Sequence, residues 1–588
     1  MNVCECAHVG QIRKGFQMHP DPASVNISTN RLSRDLPLGG DPWARWGCNR
    51  VGEVFARKAS GLVREASLLD TFGIGFMNNG VGVGVWTMAS WGLYVLPTGD
   101  MMWATILATI MCVLGIAIVW GFLGGSMPRS GGDYIANSRI IHPAVGIAMS
   151  MTNAGFVMTM WIATLGPWMA DPGMTTLLAS IGAEQSWIDW CASATGIFVI
   201  ATLSNIWGFY VVVVGLKMYN INQRVIMFAG FFCLIVAGIV LTTASHADFV
   251  GAYNDAVTDA GGTMLYQDTI DTVRDVEEVA LTDGMKPDFD LYATLALFPA
   301  VAWATAYGYQ ITFICGEVKR PQRNIVLGQV LAALIPGFFL SWFAVGLVNV
   351  MGQDFMGAIA WMENNGEGAA YDEYALPSFN TFYLISLLTG NGAVQFLIGL
   401  VFILFDVLWM PISYIAFSRA AFAWGMDRLG PMWFTDVNPK YHSPVKNNIL
   451  MLAMSEIGIA IYALNADTLL GIVIVALEAL SAWGVMALSG LLFPYVKKAR
   501  TIWEASPYKF HLGPIYLLTV ASIINLTFVG ILIYYFFTLD NLEPFSRGGI
   551  MVYSVIWVFS VIWYVAWVRH WKKQGIDLKL AWKELPPA

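Results

Sequence analysis

Twelve apolar runs, each about as long as a membrane-spanning helix, constrain the fold of this chain more than any other feature. A helix needs about 20 consecutive apolar residues to cross the hydrocarbon core of a bilayer. Charged residues make up only 12% of the chain, about half the fraction of a soluble domain. The sequence therefore predicts an all-α polytopic membrane protein with 12 transmembrane helices, called span one to span twelve. They lie near residues 68–96, 101–124, 142–170, 191–215, 222–243, 292–314, 325–351, 393–425, 447–465, 467–495, 513–538 and 549–570.

The distribution of lysine and arginine predicts how these helices are oriented. Positive residues concentrate in the cytoplasmic loops of membrane proteins. With a cytoplasmic N-terminus, 29 of the 32 Lys and Arg residues fall on the inner side, and the outer loops hold 23 Asp and Glu residues. We therefore expect a multi-pass protein of the cell membrane with both termini in the cytoplasm. Residues 1–67 are expected to form a flexible N-terminal tail, and residues 571–588 a C-terminal tail.

Span one has a composition that disfavours a continuous helix. Residues 71–86 contain five glycines and an asparagine pair, and glycine costs about 1 kcal/mol relative to alanine within a helix. In hydrocarbon, a broken helix leaves backbone N–H and C=O groups that need partners, and secondary transporters use such groups to bind substrate and ion. We therefore predict a substrate-binding segment here. It comprises Asn78, Asn79, Gly80, Val81 and Gly82.

A long acidic loop divides the spans unequally. Residues 244–291 contain eleven Asp and Glu residues and separate five spans from seven. This division fits two repeats of five helices, in residues 68–243 and 292–495, followed by two further spans in residues 496–570. Inverted repeats place equivalent broken helices together at mid-membrane. Span six should therefore be broken as well.

Span six contains residues that can interrupt a helix. Pro299 removes a helical hydrogen bond, and the small residues within WATAYG, residues 303–308, let the backbone open. We predict that this break completes the substrate site with Trp303, Ala304, Tyr307 and Gly308. Two plain alternatives stay open: a proline-kinked span six with ordinary aromatic packing, and glycines in span one, such as Gly80 and Gly84, that serve close helix packing.

Three carboxylates lie well inside predicted spans, away from the span ends: Asp406, Glu456 and Glu478. Acids inside the membrane are costly and are candidates for function. Asp406, near the middle of span eight, is our candidate for cation coupling, either by binding Na⁺ or by taking up and releasing H⁺. It could instead be a structural acid hydrogen-bonded to a neighbouring span, and the same reading applies to Glu456 and Glu478. We predict no cofactor and no metal site.

The acidic outer face allows three interpretations. It can attract cationic substrates or metal ions, or it can be an adaptation to an acidic or salty exterior. The interpretation we prefer is that these are solvated loops placed by the bias of positive residues toward the inside.

Three loop motifs indicate a family. Residues 127–134 read MPRSGGDY, residues 316–324 read GEVKRPQRN, and residues 418–431 read SRAAFAWGMDRLGP. Together they resemble the loops after spans two, six and eight of the amino acid–polyamine–organocation (APC) family of permeases, over roughly residues 64–500. Asp133 stands where that family more often has Glu, and Gln310 replaces the Glu of a Gly-aromatic-Glu element.

The resemblance implies a five-plus-five inverted-repeat transporter fold, in which broken spans one and six hold the amino and carboxylate groups of a substrate. We therefore predict a secondary active transporter that moves amino acids or related organic amines by alternating access, coupled to H⁺ or Na⁺. The alternatives are an amino acid or polyamine exchanger and a transporter-like nutrient sensor; an enzyme is not expected. The expected partners are a small-molecule substrate and the lipid bilayer, with no nucleic acid. The identity of the amino acid and the oligomeric state stay open.

Overall fold

The fold is described by a computed structural model that covers residues 61–466, 478–539 and 547–578, together with Trp582 and Leu585. These residues leave out most of the predicted N-terminal tail and the first part of span ten. They also leave out most of the last ten residues of the predicted C-terminal tail. Nearly all of the described secondary structure is helical. Within it, the strands are His511–Leu512 and Ile515–Tyr516, which pair as a short antiparallel hairpin.

Nine helices in the described part of the chain are long and apolar enough to cross a membrane. They correspond to predicted spans two to five, seven to nine, eleven and twelve, which confirms a polytopic helical membrane protein. Their bounds are Met101–Ser126, Pro143–Ser180, Ala194–Val213, Leu216–Thr243, Pro321–Val350, Gly392–Met426, Val445–Leu464, Leu517–Thr538 and Met551–Lys573. Ala479–Leu492 and Lys497–Ala505 meet at 84° and would add a tenth span if counted together.

The other three predicted spans are not single long helices among the described residues. Span one consists of Leu68–Asn79, Val81–Thr87, the π-helix Met88–Gly92 and Leu93–Val95. Span six consists of Leu291–Ala296, Phe298–Thr305 and a 3-10 helix, Tyr307–Glu317. Span ten begins in residues that the structure does not describe. The count of twelve therefore stays a prediction.

Shorter helices occupy the connections between spans. On the side of the predicted outer loops, called the acidic side, they are Gln185–Ala192, His246–Asp259, Tyr266–Asp271, Gln353–Asn365, Ala369–Asp372 and Thr381–Ser386. The side of the loop motifs, called the basic side, carries Asp133–Ile140, the 3-10 turns Met432–Thr435 and Lys497–Ala499, and the hairpin.

Small residues bring span one close to spans six and seven. A Cβ atom at Gly75 would lie 2.6 Å from the Cβ of Ala332, and a Cβ atom at Gly84 would clash with Ala304. Such distances are shorter than side chains normally allow, so these glycines permit the contact. Close packing, the alternative considered for Gly84, is therefore a real feature of this helix.

The three loop motifs meet on the basic side around buried ion pairs. Arg419 donates from Nε and Nη2 to the two carboxylate oxygens of Glu317, each at 3.2 Å, and Ser130 Oγ donates to Oε1 of the same carboxylate at 3.2 Å. Both charged side chains are at most 2% exposed. The motifs after spans two, six and eight are thereby joined through one carboxylate.

A second buried pair connects the loops after spans two and eight. Arg139 and Asp427 approach to 2.6 Å with fully buried side chains, and Tyr134 donates its hydroxyl to Asp427 at 2.8 Å. A third pair, between Arg224 and Asp70, connects span five to the first turn of span one at 2.7 Å. Ion pairs therefore fix the ends of the interrupted spans on the basic side.

Candidate functional site

Gly80 interrupts span one with a single residue of left-handed backbone. Its φ and ψ are 53° and 57°, and it separates helix Leu68–Asn79 from helix Val81–Thr87. This conformation costs other L-residues roughly 1–2 kcal/mol, whereas glycine adopts it freely. A Cβ atom here would also lie 2.8 Å from Nε1 of Trp409 in span eight. Glycine is therefore required by the backbone and by the neighbouring indole.

Span six changes its helix type near its middle. After Ala306, the α-helix Phe298–Thr305 gives way to eleven residues of 3-10 helix, Tyr307–Glu317, all of them buried. Runs of 3-10 helix longer than 3–4 residues are uncommon, and such a stretch often marks a functional hinge. Pro299 lies in the first helical turn, where its missing N–H is not needed. The change of helix type therefore lies within residues 303–308, whereas Pro299 lies in the first turn of the helix that follows the break at Leu297.

Two asparagine side chains join the interruptions. The backbone N–H of Tyr307 donates to Asn79 Oδ1 at 2.7 Å, and Asn78 Nδ2 donates to the carbonyl of Tyr307 at 3.0 Å. Asn79 Nδ2 also donates to the carbonyl of Ala332 in span seven. The amides thus satisfy the backbone of span six where it leaves the α-helix. Oδ1 of Asn78 has no hydrogen-bond partner among the described residues.

The four candidate residues of span six are buried but have different neighbours. Ala304 packs against Gly84 of span one, and a Cβ atom at Gly308 would lie 3.2 Å from the nearest side chain of span seven. These two small residues therefore allow close helix packing. Trp303 and Tyr307 instead project into a group of aromatic rings.

This aromatic cluster comprises Trp161, Trp303, Tyr307, Trp409 and Trp483. The ring centroids of Trp161 lie 4.7 Å from Trp303 and 5.2 Å from Trp409. Those of Tyr307 lie 5.0 Å from Trp409 and 5.6 Å from Trp483. The indole nitrogens of Trp303, Trp409 and Trp483 are buried without a hydrogen-bond partner among the described residues. The cluster is therefore apolar in its walls but holds donors that a ligand can use.

Glu478 touches the same cluster. Its carboxylate is fully buried, and Oε1 accepts hydrogen bonds from Tyr309 Oη at 2.8 Å and from Trp161 Nε1 at 3.3 Å. Tyr309 Oη also lies 3.0 Å from Asn153 Oδ1. The second oxygen, Oε2, has no hydrogen-bond partner in the described part of the chain. This acid therefore lies at the interruption of span six.

Asp406 lies where span eight is itself interrupted. It ends helix Gly392–Asp406, and the chain is helical again from Trp409. Its side chain is fully buried, and neither oxygen has a hydrogen-bond partner among the described residues. The adjacent Phe405 packs on span one, because a Cβ atom at Gly82 would lie 2.9 Å from its ring. Span eight thus borders the first interruption, and the role of Asp406 in coupling stays a prediction.

Glu456 has the contacts expected of a structural acid. Its two oxygens accept hydrogen bonds from Asn205 Nδ2 at 2.8 Å and Thr202 Oγ1 at 3.1 Å. Asn205 also accepts from the hydroxyl of Tyr414 at 2.7 Å. This network ties spans four, eight and nine together, away from the aromatic cluster.

On the acidic side, a carboxyl group from a connecting helix reaches the end of span one. Glu363 Oε1 accepts a hydrogen bond from Trp86 Nε1 at 2.9 Å. Burial raises the pKa of the Glu363 carboxyl to about 7, and the negative charge of Asp171 adds to this effect. The two acids therefore flank the acidic end of the site.

We expect ionisation of Glu363 to lower the stability of the protein as the pH rises from about 4.5 to about 7. The folded protein binds the proton more tightly than the unfolded chain over this interval, so stability falls with pH. Relative to that of Glu363→Gln, the thermal midpoint of the wild type should therefore fall as the pH rises from 5 to 7.5. Glu367→Gln, at an exposed acid in the same loop, is the control. A constant difference for Glu363→Gln would contradict the prediction.

Comparison with known proteins decides the family. The sequence model of a family described as amino acid permease matches residues 74–581, which is most of the chain. The chain belongs to the amino acid permease family. The resemblance to APC permeases is thereby confirmed, and members of this family are transporters rather than enzymes. No curated protein matches the permease's sequence.

Sequence reasoning did not identify several residues of the permease's aromatic cluster. Trp161, Trp409 and Trp483 come from spans three, eight and ten, and no motif marks them. In a chain with 24 tryptophans, a single one carries little information. Glu478 did carry a signal, as an acid inside a span, but nothing in the sequence ranked it above Asp406.

Proposed function

We propose that this permease is a secondary active transporter that moves amino acids or related organic amines by alternating access, driven by H⁺ or Na⁺. The observation that carries the proposal is the meeting of two interrupted spans, which the side chains of Asn78 and Asn79 join at Tyr307. Interrupted helices at mid-membrane expose backbone groups that bind substrates in inverted-repeat transporters. The proposal includes two such repeats, in residues 68–243 and 292–495.

The substrate's two backbone charges have complementary groups at these interruptions. The free backbone N–H groups of Val81 and Gly82 lie in the first turn of the helix after Gly80. They would bind the substrate's carboxylate at the positive end of the helix dipole. Carbonyl groups at the end of the preceding helix would bind the ammonium group. The rings of Trp303 and Tyr307 would lie beside the substrate's side chain.

The charge distribution supports an orientation with the basic side in the cytoplasm. The permease would then be a cell-membrane protein with both termini inside. Alternating access requires that each side can close. On the basic side, the buried pairs Arg419–Glu317 and Arg139–Asp427 provide closure. On the acidic side, the stacked rings of Trp168 and Trp303, 5.5 Å apart, cover the site.

Uptake into liposomes tests this function. The purified full-length protein should accumulate one or more radiolabelled amino acids when an inward H⁺ or Na⁺ gradient is imposed. Uptake that needs unlabelled amino acid inside, but no gradient, would identify an exchanger. Binding without flux would contradict transport and favour a sensor.

Asp406→Asn is expected to uncouple transport from its driving ion. Asp406 is buried without a hydrogen-bond partner among the described residues, so a bound Na⁺ or a proton is a suitable partner for its charge. We expect the stimulation of uptake by the effective gradient to fall at least tenfold. Glu456→Gln is the matched control, because this acid already has side-chain partners. Unchanged dependence on both gradients in Asp406→Asn would reject the coupling role.

A further inference from the structure

A line of four tryptophans connects the acidic side of the permease with the buried carboxylate of Glu478. The ring centroids of Trp86 and Trp168 are 5.1 Å apart, and those of Trp168 and Trp303 are 5.5 Å apart in a nearly parallel stack. Trp303 and Trp161 follow at 4.7 Å. Trp161 then donates its indole N–H to Glu478. These rings form an unbroken aromatic wall between the surface and the acid.

Acidic groups lie at the outer end of this line. Glu363 accepts the indole N–H of Trp86, and the exposed Asp171 follows Trp168 by three residues in span three. The predicted outer loops around them contain 23 Asp and Glu residues and three Lys and Arg residues. A surface of this charge raises the local concentration of cations and repels anions.

At the inner end, Glu478 has no positively charged partner in the part of the chain that the structure describes. Tyr309 and Trp161 bind one of its oxygens, and the other has no hydrogen-bond partner among the described residues. Among these residues, the groups that act on its charge are the side chains of Tyr307, Tyr309 and Trp161, with no lysine or arginine. A carboxylate buried in this way is costly unless a cation pairs with it. Faces of tryptophan and tyrosine rings are themselves favourable for an organic cation.

We infer that the permease carries a cationic amino acid, whose side-chain charge is bound by Glu478 within the aromatic cluster. The inference rests on the proposed transport function and names the substrate class for the same site. A neutral side chain would leave the Glu478 carboxylate without a counter-charge, and an acidic side chain would be repelled by it. Arginine and lysine supply the missing charge, and their side-chain donors can reach the free oxygen.

Charge-matched pairs of ligands test the inference on the wild-type protein. Arginine and citrulline have nearly the same shape but differ in charge, as do lysine and norleucine. We expect calorimetric titration of the purified permease to give at least tenfold tighter binding for the charged member of one pair. Equal or weaker binding of the charged members would overturn the inference and leave the transport function standing. Failure of every amino acid to bind or be taken up would contradict the proposed function itself.

Two near-isosteric variants test the assigned residue. Glu478→Gln should weaken arginine binding at least tenfold and change citrulline binding less than threefold. Glu456→Gln removes a partly buried acid on span nine that already has side-chain partners and should change neither. Wild-type arginine affinity in Glu478→Gln would overturn the assignment and leave this carboxyl group for another role, such as proton transfer. If Glu478→Gln does not fold, the ratio of arginine to citrulline affinity in the wild type still decides the substrate class.

Discussion

Gly80→Ala is expected to abolish most transport and to destabilise the permease by about 2–5 kcal/mol. The left-handed backbone contributes roughly 1–2 kcal/mol of this. The remainder comes from the new methyl group, which would lie 2.8 Å from Nε1 of Trp409 in a core where overpacking costs about 1–3 kcal/mol. Because both partners are buried, the indole cannot move away without displacing the aromatic cluster. Thermal midpoint and initial uptake rate are the measurements.

A second substitution separates the two contributions. Trp409→Phe removes the indole nitrogen that the methyl group would approach, so Gly80→Ala should cost less in that background. Gly182→Ala is the control for the backbone alone, because Gly182 has a φ of 66°, and no described residue other than its chain neighbours has an atom within 4 Å of its Cβ position. It should lower stability by the left-handed cost and leave transport unchanged. Equal uptake in Gly80→Ala and wild type would contradict the assignment of this interruption to the site.

The interruption at Gly80 was predictable because its cause is local. Glycine density and an asparagine pair are visible in the sequence, and they weaken a helix wherever it packs. The same holds for the nine long spans, since the length of an apolar run decides whether a helix can cross a bilayer. The interruption of span six was predictable only indirectly, from the expected repeat. Its helix type does change at Ala306, within the predicted residues.

The use of the asparagines was not predictable. The sequence predicted a role for Asn78 and Asn79 toward substrate, which stays a prediction. It gave no sign that their amides also bind the backbone of Tyr307, more than two hundred positions away. The physical reason is that a backbone freed inside the membrane must find partners, and the nearest ones are supplied by the neighbouring helix. Contacts between Tyr309 and Glu478 are hidden from the sequence in the same way, because tertiary packing alone brings them together.

Arg419→Leu is expected to cost about 3–5 kcal/mol of stability. Among the described side chains, this substitution would leave the buried Glu317 carboxylate with the Ser130 hydroxyl as its remaining hydrogen-bond partner. An uncompensated buried charge carries a penalty of this size. The backbone carbonyl of Glu317 also accepts hydrogen bonds from the N–H groups of Glu65 and Ala66, at 2.9 and 3.0 Å. Loosening it should therefore disturb the start of span one as well as the end of span six.

The double variant Arg419→Leu with Glu317→Leu distinguishes the loss of a partner from the loss of the motif. Removing both charges eliminates the unpaired carboxylate, and replacing a buried pair by apolar residues is often neutral. We therefore expect the double variant to regain more than half of the thermal midpoint lost in Arg419→Leu. Uptake should recover less, because the connection between the two loops is still missing.

An exposed pair provides the matched control for the buried one. Lys446 and Asp436 approach to 2.7 Å, but their side chains are 61% and 46% exposed. Solvent screens such a pair, so Lys446→Leu should cost no more than about 1 kcal/mol. If Arg419→Leu shifts the thermal midpoint no further than this control, the buried pair does not hold the basic side together. A double variant that is less stable than Arg419→Leu would show that Glu317 has a stabilising role apart from its arginine.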